Sequence, residues 1–340
     1  MAKLTPPLPP HGGDLDDAAL RWGTPAQGWL DLSTGINPWP YPPPRLDRAL
    51  WRRLPATGDE AALRRAAAAA YGCDAARILA TPGTSALIQT LPRLWSPRKV
   101  AVLSPTYGEH AAAWTAAGHA VMEVSVPADA QGCDALVLVN PNNPDGRTFA
   151  PADILALAER FPTLVVDEAF ADATPFLSVA GMARPGLIVL RSFGKFYGLA
   201  GLRLGFCLAA PELLDALGRF WGPWPVSGPA LAIGARALAD HAWAEASRAH
   251  LAHAADRLDA VLAGAGLHIL GGTALFRLAE HPDAARLHER LGRAGILVRA
   301  FPHRPTWLRF GLPGGMTATR RLRRALIGTE SQTVKGEWGE

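Results

Sequence analysis

The sequence predicts an α/β protein whose mostly parallel sheet is buried on both faces, followed by a smaller α+β unit. Between residues 81 and 209, short β-branched and aliphatic runs alternate with helical stretches, the pattern of strand–helix–strand repeats. Those runs are continuously apolar rather than alternating, as strands covered on both faces must be. Beyond residue 225 the composition shifts to a long Ala, Leu and His stretch and then to a second set of short apolar runs. With 340 residues, 49% of them hydrophobic, the chain can fill about two domain cores. Its 34 Lys and Arg against 30 Asp and Glu leave a formal charge of only +4, which argues against a dedicated nucleic-acid binder. No apolar run reaches the ~18 residues that span a bilayer, and the first ten residues lack the apolar stretch of a signal peptide. The expected setting is the cytoplasm.

Taken in order, residues 1–45 are rich in Pro and Gly yet carry Trp22, Trp29, Ile36 and Trp39. An arm that packs on something is expected rather than a disordered tail. Residues 45–71 turn helical, ending in five alanines before Tyr71 with Gly72 as the stop. The runs at 99–103, 135–139, 164–166, 187–190 and 205–209 read as strands. Polar and glycine-rich turns follow the first four, and ligands of open α/β sheets sit at such carboxyl ends. A helix is expected from about 228 to 264. Strands at 267–270, 274–278, 296–299 and 306–310 and helices at 283–294 and 317–327 then build the second unit. The expected division is an arm over 1–45, a large domain over 46–225, an interdomain helix with a small domain over 226–327, and a frayed tail over 328–340.

Lys195 is the centre of the chemistry, because the segment Arg191-Ser192-Phe193-Gly194-Lys195-Phe196-Tyr197-Gly198 follows a buried strand and is crowded with glycines. A phosphate-binding loop of the nucleotide type needs Gly at 189 and Ser or Thr at 196, where Val189 and Phe196 stand. The dinucleotide glycine fingerprint is missing as well. Elsewhere Thr81-Pro82-Gly83-Thr84-Ser85 offers a glycine turn and two hydroxyls before an apolar helix, the makings of an anion seat.

Together these segments resemble the fold-type I pyridoxal-phosphate enzymes, the aspartate aminotransferase-like fold, in which a lysine after a strand bonds covalently to the cofactor aldehyde. The resemblance covers about residues 11 to 327. It implies that Lys195 is the catalytic lysine and that Asp167 partners the protonated pyridine nitrogen, Glu168 being the poorer candidate. It implies a cofactor phosphate held by Gly83, Thr84, Ser85, Ser192 and Arg203, the last through a charge-assisted fork. Asn140-Pro141-Asn142-Asn143-Pro144-Asp145-Gly146 is similar to the family's Asn-Pro turn, giving Asn143 the ring hydroxyl, with Asp145 where Thr is usual. Tyr107 takes the place of the ring-stacking aromatic. Arg309, on a run of apolar neighbours, resembles the arginine that grips a substrate carboxylate.

Within this family the resemblance is closest to a branch of histidinol-phosphate aminotransferases and cobalamin-pathway threonine-phosphate decarboxylases. The His11-Gly12-Gly13 arm with Ser33, Gly35 and Asn37, the Phe170 that cannot donate a hydrogen bond where aminotransferases carry Tyr, and the stretches around 222–230 and 271–278 resemble the decarboxylases. Histidinol-phosphate aminotransferase stays the alternative. The expected substrate is a small phosphorylated amino acid, with Arg309, Arg299, His11, Gly35 and Asn143 as its contacts. A Tyr that the branch often offers to a partner subunit's cofactor is missing from Ala56-Thr57-Gly58-Asp59, and the resemblance still implies a homodimer. Cys73, Cys133 and Cys207 are too scattered for a disulfide framework or a zinc site. The basic run from Arg320 to Arg324 reads as a solvated helix face. No membrane or nucleic-acid partner is expected.

Overall fold

A computed structural model describes residues 11–327. In chain order its strands are β1 (Leu30–Leu32), β2 (Ile78–Thr81), β3 (Lys99–Leu103), β4 (Ala120–Val124), β5 (Ala135–Val139), β6 (Thr163–Asp167), β7 (Leu187–Ser192), β8 (Gly205–Leu208), β9 (His268–Thr273), β10 (Phe276–Glu280), β11 (Ile296–Ala300) and β12 (Trp307–Gly311). They form two sheets in two compact units. One unit takes Trp39–Leu251, and the other takes the described residues up to Pro38 and from Ala252 onward.

The larger unit holds a 7-stranded sheet in the order β2-β8-β7-β6-β5-β3-β4. Strands β3 to β7 pair in parallel, and only β8 runs against its neighbours β2 and β7. The expectation of a mostly parallel sheet buried on both faces is met: every residue of β5, β6 and β7 is buried. One face packs Val100, Val137, Val165, Ile188 and Leu190 against Leu87, Ile88 and Trp114 from the helices Thr84–Thr90 and Glu109–Ala116. On the other, Tyr71 at the end of the helix Thr57–Tyr71 meets Phe206 of β8 edge-on at 5.6 Å. That helix stops where the sequence places its glycine, with Gly72 in the left-handed region at φ 67°.

The smaller unit is a 5-stranded sheet in the order β1-β11-β12-β10-β9. Its helices Ala284–Arg293 and Met316–Ile327 each bury an apolar stripe, Leu287 and Leu291 on the first and Leu322 and Leu326 on the second.

The structure corrects several boundaries. The arm is not a separate segment ending at residue 45. Its β1 pairs in parallel with β11, Leu30 beside Ile296 and Leu32 beside Val298, so residues 11–38 belong to the smaller unit, while the arm's first ten residues lie outside those described. The helix expected over 45–71 is two, Ala49–Arg52 and Thr57–Tyr71, parted by Pro55, which disfavours helix at the residue before it. The helix expected over 228–264 is also two, Gly228–Ala239 and His241–Ala263. Asp240 divides them because its carboxylate accepts the Trp243 N–H at 3.0 Å, a side-chain cap that competes with helix continuation. The unit boundary near 225 accordingly moves to Leu251/Ala252. Strands β1, β2 and β4 were not foreseen, and the expected tail over 328–340 lies outside the described residues.

Candidate active site

Because β3, β5, β6 and β7 run in parallel, their carboxyl ends share one edge of the large sheet. The reversed β8 begins at that same edge: Gly205 stands beside both Ser192 and Thr81. In register, Val139 pairs with Asp167 and Asp167 with Leu190. The turns singled out from sequence therefore come together here by topology, as the carboxyl-end rule requires.

At the β2 and β8 side the edge gathers groups that could hold an anion. Gly83, at φ 85°, caps the helix Thr84–Thr90 and takes a backbone conformation open chiefly to glycine. A Cβ on Gly83 would stand 3.0 Å from Arg203 Nη2, and one on Gly205 would stand 2.8 Å from the Thr84 nitrogen. The absence of side chains at these two glycines brings the Arg203 guanidinium and the first amides of the helix to one place. Arg203 itself is at φ 53° and donates from Nη1 to the Ala200 carbonyl at 3.2 Å. Thr84 is half-buried and Ser85 exposed, while Ser192 is buried. Cation, hydroxyls and N–H groups are the donor set that a phosphate monoester needs.

Towards the middle of the edge lies Asp167, 3% exposed. Its Oδ1 accepts the Ala169 N–H at 2.9 Å and its Oδ2 meets His110 Nε2 at 2.9 Å. Glu168 turns the other way, accepting from Arg191 Nη1 at 2.7 Å, Ser178 Oγ at 2.5 Å and the Val179 N–H at 2.6 Å. Its carboxyl is raised above the ordinary range by burial, against which Arg191 works. Lys195 sits in the short helix Phe193–Phe196 that follows β7, half-buried, with Nζ 5.8 Å from the centre of the Phe170 ring. Tyr107 is half-buried and meets His110 edge-on at 6.2 Å.

The Asn-Pro turn divides its labour. Asn140 is spent on the backbone, donating to the Phe149 carbonyl at 3.2 Å and accepting the Phe149 N–H at 2.9 Å. Asn142 donates to the Pro105 carbonyl at 2.8 Å and to Asp145 Oδ1 at 2.7 Å. Asp145 also takes the Arg147 N–H at 3.0 Å, so the acid standing where Thr is usual closes the turn. Asn143, between these braces, is half-buried at the edge.

The smaller unit carries the expected substrate contacts. Arg309 of β12 is 8% exposed and donates from Nη2 to the Ser33 carbonyl at 2.6 Å. Directly across the antiparallel ladder from Arg309 is Arg299 of β11, so both side chains leave the same face of the sheet. Like charges directly opposite are unfavourable unless anions come between them. Ser33 Oγ donates to Asp31 at 2.6 Å and accepts the Gly13 N–H at 2.7 Å, and Gly12 packs so closely on the Ser33 carbonyl that no Cβ fits. His11, Ser33 and Arg299 thereby line one pocket of about 400 Å³, with Trp22, His288 and Trp307 among its other walls. Gly35 is buried in the same arm.

Sequence reasoning missed His110. It is 1% exposed, so it must be partnered, but its place three residues after Tyr107 in an Ala-rich helix gave no sign of that partner in the sequence. Among the described residues no cluster of His, Cys, Asp and Glu could hold a metal, and no helix is long and apolar enough to cross a membrane.

The class I and II aminotransferase model matches residues 45–326. A threonine-phosphate decarboxylase of Pseudomonas aeruginosa is 48% identical over 326 residues, 94% of this chain and 97% of the relative. One from a Sinorhizobium species is 49% identical over 333 residues, 94% and 98% of the two chains. Histidinol-phosphate aminotransferase 3 of Mesorhizobium japonicum is 31% identical over 84% of each. Among solved structures, histidinol-phosphate aminotransferase from Sinorhizobium meliloti in complex with pyridoxal-5'-phosphate aligns with a TM-score of 0.80 at 22% identity, covering 96% of this chain and 97% of that one. The L-threonine-O-3-phosphate decarboxylase of Porphyromonas gingivalis aligns at 0.73 and 23%, covering 87% and 98%. At such identities the structural likenesses speak for the fold, which is that of the fold-type I enzymes.

Proposed function

The chain belongs to the class I and II aminotransferase family, and on that premise we propose that it decarboxylates L-threonine O-3-phosphate to (R)-1-amino-2-propanol O-2-phosphate in cobalamin biosynthesis, with pyridoxal 5'-phosphate as cofactor. The observation that carries the reading is the cross-strand pair of Arg299 and Arg309 on one face of the small sheet, in a chain that is 48% identical to a named threonine-phosphate decarboxylase over 94% of its length. The substrate has two anionic groups, and two arginines on one face can each take one.

When bound, pyridoxal phosphate would supply an electron sink for a bond at the substrate's Cα. Asp167 keeps the proton on the pyridine nitrogen, and His110 fixes that carboxylate through its hydrogen bond at 2.9 Å. Gly83, Thr84, Ser85, Ser192 and Arg203 would hold the cofactor phosphate, Asn143 the ring hydroxyl, and Tyr107 the ring itself. Lys195 would hold the cofactor aldehyde, and its amine, once freed by the substrate's amine, would hold the proton that replaces CO2 on Cα. Arg309 binds the carboxylate, while Arg299, His11 and the Ser33–Gly35 stretch hold the phosphate and so fix which bond is presented.

We also infer that the protein works in the cytoplasm as a homodimer. Its cysteines are free thiols, as reducing compartments leave them. The large unit exposes Trp51, Leu54, Phe220 and Trp224, side chains suited to a second copy. Light scattering that gives a monomer mass would remove the dimer.

The deciding experiment mixes the cofactor-loaded protein with L-threonine phosphate and, separately, with histidinol phosphate plus 2-oxoglutarate. Release of CO2 from the first, with Lys195→Ala inactive, is the expected result. Glutamate from the second, without CO2 from the first, would transfer the protein to the aminotransferase side of its branch.

A further inference from the structure

Strand alternation separates two faces at the catalytic edge. Asp167, Leu190 and Ser192 point to one face, and Glu168 and Arg191 to the other. On that second face Arg191, 2% exposed, lies among Glu168 at 0% and Asp172 at 5%. Its Nη1 donates to Glu168 Oε2 at 2.7 Å and to Ser178 Oγ at 3.2 Å, while Nη2 pairs with the Asp172 carboxylate. The guanidinium carbon stands 4.4 Å from the centre of the Tyr71 ring. Arg248 Nε donates to the Asp172 carbonyl at 2.9 Å. One side chain therefore ties the loop that leaves β6 directly after Asp167 to the strand that ends in Ser192 and leads into Lys195.

As a stability device such a buried triad is poor, because desolvation offsets most of its Coulombic gain and apolar residues of similar volume would serve as well. What it supplies is geometry. A planar fork that engages two carboxylates at once fixes direction and distance, as an apolar contact does not. The link to the site runs through the backbone. The Glu168 N–H donates to the Leu190 carbonyl at 2.8 Å, and the next amide, Ala169, donates to Asp167 Oδ1 at 2.9 Å. Holding Glu168 holds the amide that orients the Asp167 carboxylate.

We propose that Arg191, acting through Glu168 and Asp172, is a positioning residue that sets Asp167 relative to Lys195. This rests on those two residues holding pyridoxal phosphate. The variant Arg191→Lys keeps the charge and loses the fork. In the cofactor-loaded protein, the pH midpoint of the cofactor's visible absorbance is expected to rise by about half a unit, since a displaced Asp167 leaves the ring less positive and the Lys195 nitrogen joined to the cofactor easier to protonate. With threonine phosphate, kcat is expected to fall about tenfold while KM stays within about twofold. If Arg191→Lys is not recovered folded, Asp172→Asn is read by the same measurements, with a shift in the same direction. An unchanged midpoint and unchanged kcat in the variant that folds, with only the melting temperature lowered, would overturn the proposal. The absorbance midpoint needs no substrate, so it is read whether or not the wild-type protein releases CO2.

Discussion

Gly205 shows how much of the site depends on a missing side chain. A Cβ there would stand 2.8 Å from the Thr84 nitrogen, inside the place where the helix amides meet Arg203. Gly205→Ala is expected to weaken cofactor affinity about 10- to 100-fold, the equivalent of about 1–3 kcal/mol of overpacking, as measured by absorbance or fluorescence titration. Arg299 and Arg309 make the complementary case. Replacing either by Gln removes a charge-assisted contact worth about 1.5–3 kcal/mol, so KM for threonine phosphate is expected to rise about 10- to 100-fold with cofactor affinity unchanged. An equal loss of cofactor affinity would mean that these arginines do not face the substrate. At this scale Lys195, Asp167 and Arg203 stood out as candidates because each lies in a short segment whose neighbours are as unusual as itself. His110 did not, since its partner Asp167 is 57 residues away in sequence and only the fold of β6 against the helix Glu109–Ala116 joins them.

Elements were read best where their periodicity was strong. The buried runs of β3, β5, β6 and β7 stood out because parallel strands are apolar on both faces. Short or half-exposed strands escaped notice: β4 has one buried residue in five, and β1 offers only Leu30, Asp31 and Leu32. Yet β1 anchors the arm, and the arm's next turn is fixed by the lack of space between Gly12 and the Ser33 carbonyl. Gly12→Ala is expected to push His11 away from the pocket it shares with Arg299. The measurable outcome is a KM for threonine phosphate raised about 5- to 50-fold, in line with about 1–2 kcal/mol of steric displacement, while the melting temperature and cofactor affinity hold. A variant that instead loses cofactor would show that the arm does more than face the substrate.

Stability of the whole molecule carries a pH signature from the smaller unit. Burial, helped by the Arg21 charge, pushes the His288 pKa below its ordinary 6.5. Between that lowered value and 6.5 the unfolded chain binds the proton more readily than the folded one, so stability is complete above 6.5 and falls as the pH drops through this window. Chemical denaturation at about pH 7.5 and 5.5 should show the loss, and His288→Gln should reduce it; a variant with the same pH dependence would assign the effect to other groups. The division into units was legible only in outline. Composition announced a second domain after residue 225, but nothing local in residues 11–38 tells that they complete its sheet, because the pairing of β1 with β11 is made across most of the chain.

The reversed direction of β8 also orders events in time. Thr81 ends the edge strand β2, and its neighbour in the sheet is not β3 but β8, made far later as the chain is synthesised. A nascent chain that has completed β2 to β7 already carries Asp167 and Lys195, yet it lacks Arg203 and Gly205 and leaves β2 without its partner strand. Closing that long-range pairing is slow compared with local contacts, and until it closes an unpaired strand edge remains open to wrong partners. If Arg203 holds the cofactor phosphate as proposed, that seat is complete only once β8 has joined the sheet, and cofactor supplied during refolding should raise the yield of native protein rather than act only on what has already folded.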